Sequence, residues 1–207
     1  MQRILNILSI YHKASGFELE AGLRWYLTAH SEAKRLGDKL HPYDSPGVST
    51  TSRAAAVIAA VSPGLRWERN IEAAERIILG VPLDGLGVRW YDGVRKAQRI
   101  VAGESPIGVL NGRKVKAFWS NIELPQTSPL VCVDGHAYAI WAADRTSLDE
   151  TPTLTDDLYS DIQADYIQAA ELVGVRPLQL QAITWTTWRR LHGVSSAHFL
   201  PLFEDAA

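Results

Sequence analysis

The sequence holds one cysteine, Cys132, among 207 residues. A lone thiol forms no internal disulfide, and it supplies neither a multi-cysteine zinc site nor a four-cysteine iron–sulfur cluster. It sits in the apolar run Leu-Val-Cys-Val, where it reads as a small buried hydrophobe. Long hydrophobic runs are missing as well, since no stretch approaches the roughly 18 apolar residues of a membrane helix. The opening MQRILNILSIYHKASG is broken by Asn6 and makes a poor signal peptide, so the expected location is cytoplasmic. No metal-ligand spacing joins His12, His30, His41, His192 or His198, and no cofactor is expected. A large excess of charge is absent too. The formal net charge of -2 excludes a protein that coats nucleic acid by bulk attraction, while a local basic face remains open.

What is present is helical periodicity. At 46% apolar and 21% charged, the composition is that of an ordinary globular protein. Residues 17–36 carry apolar positions at helical spacing, and 37–51 is a loop by composition. Ser52 is placed to cap a helix over 53–61, which stops at Ser62-Pro63-Gly64. Further helices are expected over 67–79, 90–101, 113–122, 135–143, 156–173 and 177–191, with a turn-rich connection over 81–88. The one short β-branched run is 130–133. The fold class expected is therefore all-α. The basic residues are unevenly placed: Arg95, Lys96, Arg99, Arg113, Lys114 and Lys116 fall within 22 positions, whereas 146–165 carries acids and no Lys or Arg. One side of the molecule is expected to be positive.

The most informative stretch is 110–141. Asn111-Gly112 reads as a tight turn between two short helices, and the second helix opens with unpaired N–H groups. Such a turn binds phosphate through backbone donors and the helix dipole, with Arg113, Lys114 and Lys116 adding charge. A solvated helix start gives the same pattern. Eighteen residues after Lys116 comes Asp134, in Val-Cys-Val-Asp-Gly-His-Ala, at an expected helix N-cap. Asp is a favoured N-cap on structural grounds alone.

Together, Leu110, Gly112 and Lys116, followed by Val133, Asp134 and His136, resemble the helix-hairpin-helix DNA glycosylase superfamily. Lys114 stands where the hairpin's second glycine is usual. Ser62-Pro63 and the segment from Arg66 to Asn70 resemble the loop and helix that wedge into DNA in that superfamily. A closer likeness is to a branch of small phage and actinobacterial proteins. It is carried by Ser62-Pro63, Trp67 and Asn70, by Gly112, Lys114-Val115, Ala117-Phe118 and Asn121-Ile122, by Val133-Asp134 and His136-Ala137, and by the tail from Pro177 to Ala182 with Trp185 and Trp188.

The resemblance implies one helical glycosylase-like domain over 1–207, with two lobes and a cleft between them. The hairpin would lie at about 100–122 and the catalytic segment at about 130–143, with helices over 156–192 completing a lobe. It implies a DNA glycosylase in which Asp134 stabilises an oxocarbenium-like sugar or aligns water against it. Lys116, or Lys114 in a shifted register, stands where some relatives form a Schiff base, but either equally suits a phosphate contact. A monofunctional, water-using enzyme is the favoured expectation. Trp67 with Asn70, and Trp185 with Arg189, each pair a stacking plane with a polar group, and Asn70 and Gln181 are candidates to read a base edge. Trp119 and His136 complete the expected pocket, while His136 equally suits a structural hydrogen bond. Gly112, Arg113, Lys114, Arg66 and Arg189 are the expected DNA contacts. The expected partner is double-stranded DNA with an altered, possibly hypermodified base flipped out, in phage–host conflict or phage DNA modification; a monomer without membrane attachment is expected. The competing readings are a non-catalytic DNA-binding module that keeps the hairpin, and a related enzyme acting on modified nucleotides outside the duplex.

Overall fold

The computed structural model describes residues 1–41, 47–86, 91–144 and 152–193. Trp90 and His198 lie outside the described residues, as does the end of the connection over 81–88. The described residues form helices and no strand. In chain order these are α1 (Gln2–Tyr11), α2 (Gly16–Gly37), α3 (Thr50–Val61), α4 (Trp67–Ile78), α5 (Tyr91–Val101), α6 (Pro106–Val109), α7 (Arg113–Glu123), α8 (Gly135–Ala142), α9 (Asp156–Val173) and α10 (Pro177–Leu191). None is long and apolar enough to cross a membrane.

One local expectation needs correction. Ser52 is not the cap of α3: Ser49 is, and its hydroxyl accepts the Ser52 N–H at 3.0 Å. The helix therefore begins a turn earlier, and Ser52 is buried within it. The N-terminal stretch forms α1 because Ile4, Ile7 and Ile10 share one buried face, and Asn6 falls off that stripe.

The chain divides into two compact units, Met1–Thr28 with Thr127–Ala207, and Ala29–Gln126. In the second unit α3 is the centre, with α4, α5 and α7 packed around it. Positions 52–61 are all buried, and five alanines among them let neighbouring backbones approach closely. A Cβ at Gly93 of α5 would lie 2.4 Å from the Ala60 carbonyl oxygen, so that helix rests directly on α3. The fully buried Arg53 donates to the carbonyls of Val101 and His41, each at 2.8 Å, and to Ile100 at 3.4 Å. A cation thereby closes the negative C-terminal end of α5 from inside the core.

In the first unit α1, α8, α9 and α10 pack on one another around Ile7, Val133, Ile140, Ile162, Tyr166 and Leu180. The start of α2 joins this unit through a Ser15-x-x-Glu18 capping box. Glu18 accepts from the Ser15 N–H at 2.8 Å, and the Ser15 hydroxyl accepts the Glu18 N–H at 3.2 Å. Glu18 also binds the Arg190 guanidinium of α10 at 2.7 and 3.1 Å. Burial pushes its carboxyl up, but Arg190 and Ser15 together outweigh burial, so it ionises below its ordinary value of 4.5. The stabilisation is therefore complete above that ordinary value and is lost as pH falls through the depressed folded-state value. Glu18→Gln is expected to lower stability by about 1–3 kcal/mol at pH 7. It should also flatten the fall in melting temperature below about pH 4.5, as thermal scans across pH 3–7 will show.

Candidate functional site

Residues 131–133 are buried and extended, yet they pair with no strand. Side chains of α9 take the place of a neighbouring strand. The Tyr159 hydroxyl donates to the Val131 carbonyl at 2.9 Å and accepts the Val133 N–H at 3.2 Å, while Gln163 accepts the Val131 N–H at 3.3 Å. With three of its backbone groups met in this way, the run stays a single buried tether. The tether delivers Asp134 to the N-cap of α8, where Oδ1 accepts the Ala137 N–H at 2.8 Å. Asp134 is half-buried. A carboxylate offers about four acceptor sites, and the cap occupies one.

The eight residues of α8 are pinned at the far end as well. Asn6 donates to the Trp141 carbonyl and Arg3 to the Ala142 carbonyl, both at 2.9 Å, and the Arg3 guanidinium lies 4.3 Å from the Trp141 ring centre. The Trp141 indole N–H donates to Asp165 at 2.6 Å, which commits that tryptophan to the scaffold. Asp134 thus sits on a short helix with little freedom to tilt.

Beside the start of α8, the His136 ring meets Trp185 of α10 edge-on, with centres 6.3 Å apart. The Arg189 guanidinium lies 4.6 Å from the centre of the Trp185 ring, as the i, i+4 spacing predicts. All three side chains are half-buried, so this unit brings His136, Trp185 and Arg189 together as a π-face with a cation on it. Gln181, one turn earlier on α10, is buried, and its amide oxygen accepts the Tyr26 hydroxyl at 3.3 Å.

The hairpin lies in the other unit. Val109 and Leu110 anchor it in the core, and Gly112 makes the turn at φ 74 and ψ 139. A Cβ there would meet nothing within 4 Å, so glycine serves the backbone angle and the turn is open to its surroundings. Gly112 is the N-cap of α7 and provides no side-chain cap. Lys114 is exposed, while Arg113 and Lys116 are half-buried. Among the described residues, no ion pair or side-chain hydrogen bond engages Lys116.

The expected basic face is narrower than the sequence suggests. Asp92 pairs with Lys96 at 2.5 Å and Arg95 at 3.5 Å, and Glu104 pairs with Arg99 at 2.5 Å. The Lys96 and Arg99 hydrogen bonds hold these two carboxyls below the ordinary range. Two carboxylates thus offset most of the three cations, and the larger positive excess falls to the start of α7.

The remaining predicted residues also lie in the hairpin unit. Arg66 is exposed at the N-cap of α4, Trp67 is half-buried beside it, and Asn70 is only 2% exposed. The Asn70 side-chain oxygen has no hydrogen-bond partner among the described residues. Trp119 spends its indole N–H on the Ser52 carbonyl at 3.1 Å, which ties α7 to α3. Sequence reasoning passed over Tyr159, Gln163 and Tyr166 of α9. The available signal was the seven-residue spacing of the two tyrosines, which puts both on one helix face.

A family model matches residues 1–192, a span that covers the ten helices of the described residues. The chain belongs to the Family of unknown function (DUF7178). No curated protein and no solved structure matches it.

Proposed function

We propose that this chain is a monofunctional DNA glycosylase of the helix-hairpin-helix superfamily, two-lobed with a cleft, that flips a modified base from duplex DNA and hydrolyses its N-glycosidic bond. The observation that carries the reading is the half-exposed Asp134 carboxylate, held by one oxygen in a helix cap on a doubly pinned helix. Departure of the base builds positive charge on the sugar, and a fixed anion stabilises that charge without reorganising during the reaction. Asp134 is the catalytic carboxylate in this reading, with water as the nucleophile. Trp185, His136 and Arg189 form a stacking surface that suits an extruded base, and Trp67, Asn70, Trp119 and Gln181 remain its further pocket candidates. Gly112, Arg113 and Lys114 suit the phosphate backbone, with Arg66 and Arg189 as outlying contacts. Lys116 is the amine to test for strand cleavage, and borohydride is expected to trap no covalent adduct.

The deciding experiment incubates the protein with genomes carrying ordinary, hydroxymethylated or glucosylated cytosine, or modified thymine. Mass spectrometry then measures free bases and abasic sites. Base release from a modified genome is expected; if none yields a base, the enzyme reading fails. The capping bond of Asp134 favours one second reading, a DNA-binding module without chemistry. That reading gives no base release but a DNA affinity that falls steeply with salt. An affinity for DNA that is weak and insensitive to salt would instead point to a nucleotide outside the duplex.

A further inference from the structure

Tyr166 is fully buried on α9, and its hydroxyl has no hydrogen-bond partner among the described residues. A buried polar group without a partner costs folding free energy, and a phenylalanine would fill the same space without that cost. Two turns earlier on the same face, Tyr159 holds the tether that leads to Asp134. Tyr166 belongs to the same core cluster as Val133 and Ala137, which flank Asp134 on either side, and Leu180. Thr184 is also buried, and its own hydroxyl proton goes to the Leu180 and Gln181 carbonyls at 2.9 and 3.1 Å. Burial, and to a lesser degree the charge of Asp134, push the phenol well above its ordinary value, while Thr184 draws it down. Tyr166 is therefore a neutral donor; the Thr184 hydroxyl stands beside it, but no oxygen among the described residues meets its proton with hydrogen-bond geometry.

We propose that Tyr166 is a positioning residue for Asp134: its hydroxyl donates to a bound water molecule, and that water donates to the carboxylate oxygen outside the helix cap. The cap fixes Oδ1 through Ala137, and the water fixes the other oxygen, so the carboxylate plane has one orientation. Only the kinetic arm of the test rests on Asp134 being the catalytic group.

High-resolution crystallography of the full chain should show an ordered water within hydrogen-bond reach of the Tyr166 and Asp134 oxygens, and Tyr166→Phe should lose it. The variant should melt at or above the wild-type temperature. With a DNA that yields a base, kcat should fall roughly tenfold while KM stays within about twofold, because misplacing a catalytic group acts on the chemical step. A wild-type crystal without that water, a destabilised Tyr166→Phe protein, or an unchanged kcat each overturns the inference. The first two results need no substrate. They remain decisive if no DNA is cut, which is the separate failure of the glycosylase reading.

Discussion

Asp134→Asn is expected to leave the protein folded and bound to DNA, with base release reduced by on the order of 10³-fold or more. Asn is as good an N-cap as Asp and nearly the same shape, so its side-chain oxygen can still accept the Ala137 N–H. Only the negative charge goes. The variant therefore separates the two roles available to position 134, which share one hydrogen bond and differ in charge. Asp134→Ala removes both, and it should cost about 1 kcal/mol of stability in addition to the activity. Melting temperature, DNA affinity and base release, measured together on the two variants, give the answer. An Asn variant that releases base at the wild-type rate would leave Asp134 a helix cap and nothing more.

The largest expected effect on stability is at Arg53. Arg53→Met should destabilise the unit built on α3 by about 4 kcal/mol, because three carbonyls then lose a charged donor inside the core. Arg53→Lys should recover little of this. One ammonium cannot reproduce the planar fork that reaches His41 on one side and the end of α5 on the other. Urea unfolding of the two variants measures both costs, and a change below 1 kcal/mol for Met would show that the carbonyls find other donors. Loss of this contact also frees the end of α5, just ahead of the hairpin. Weaker DNA binding is expected to accompany it if the hairpin grips phosphate.

Helix existence was legible because periodicity and stop signals are local. The spans 156–173 and 177–191 coincide with α9 and α10, each stopped by a glycine, Gly174 or Gly193, and opened by a Thr cap or a proline. The start of α3 was not, since Ser49 and Ser52 are equally good caps by type, and only the chain path chooses between them. Pairing of Arg189 with Trp185 followed from a spacing of four. Partial offset of the basic stretch by Asp92 and Glu104 could be read at short range too, but counting cations alone hid it.

The sequence by itself determined an all-helical chain, the glycine turn at 112 and a capping acid at 134, because each depends on neighbours within about four residues. Tertiary structure decided which side chains meet the backbone of 131–133 and which tryptophan N–H groups are spent on the scaffold. It also decided that a tyrosine 32 positions after Asp134 lies buried in the core cluster that holds the residues flanking that acid. Those outcomes depend on partners far away in sequence, and burial sets their energies. No periodic pattern records which distant side chain will meet a buried N–H or leave a hydroxyl unmet.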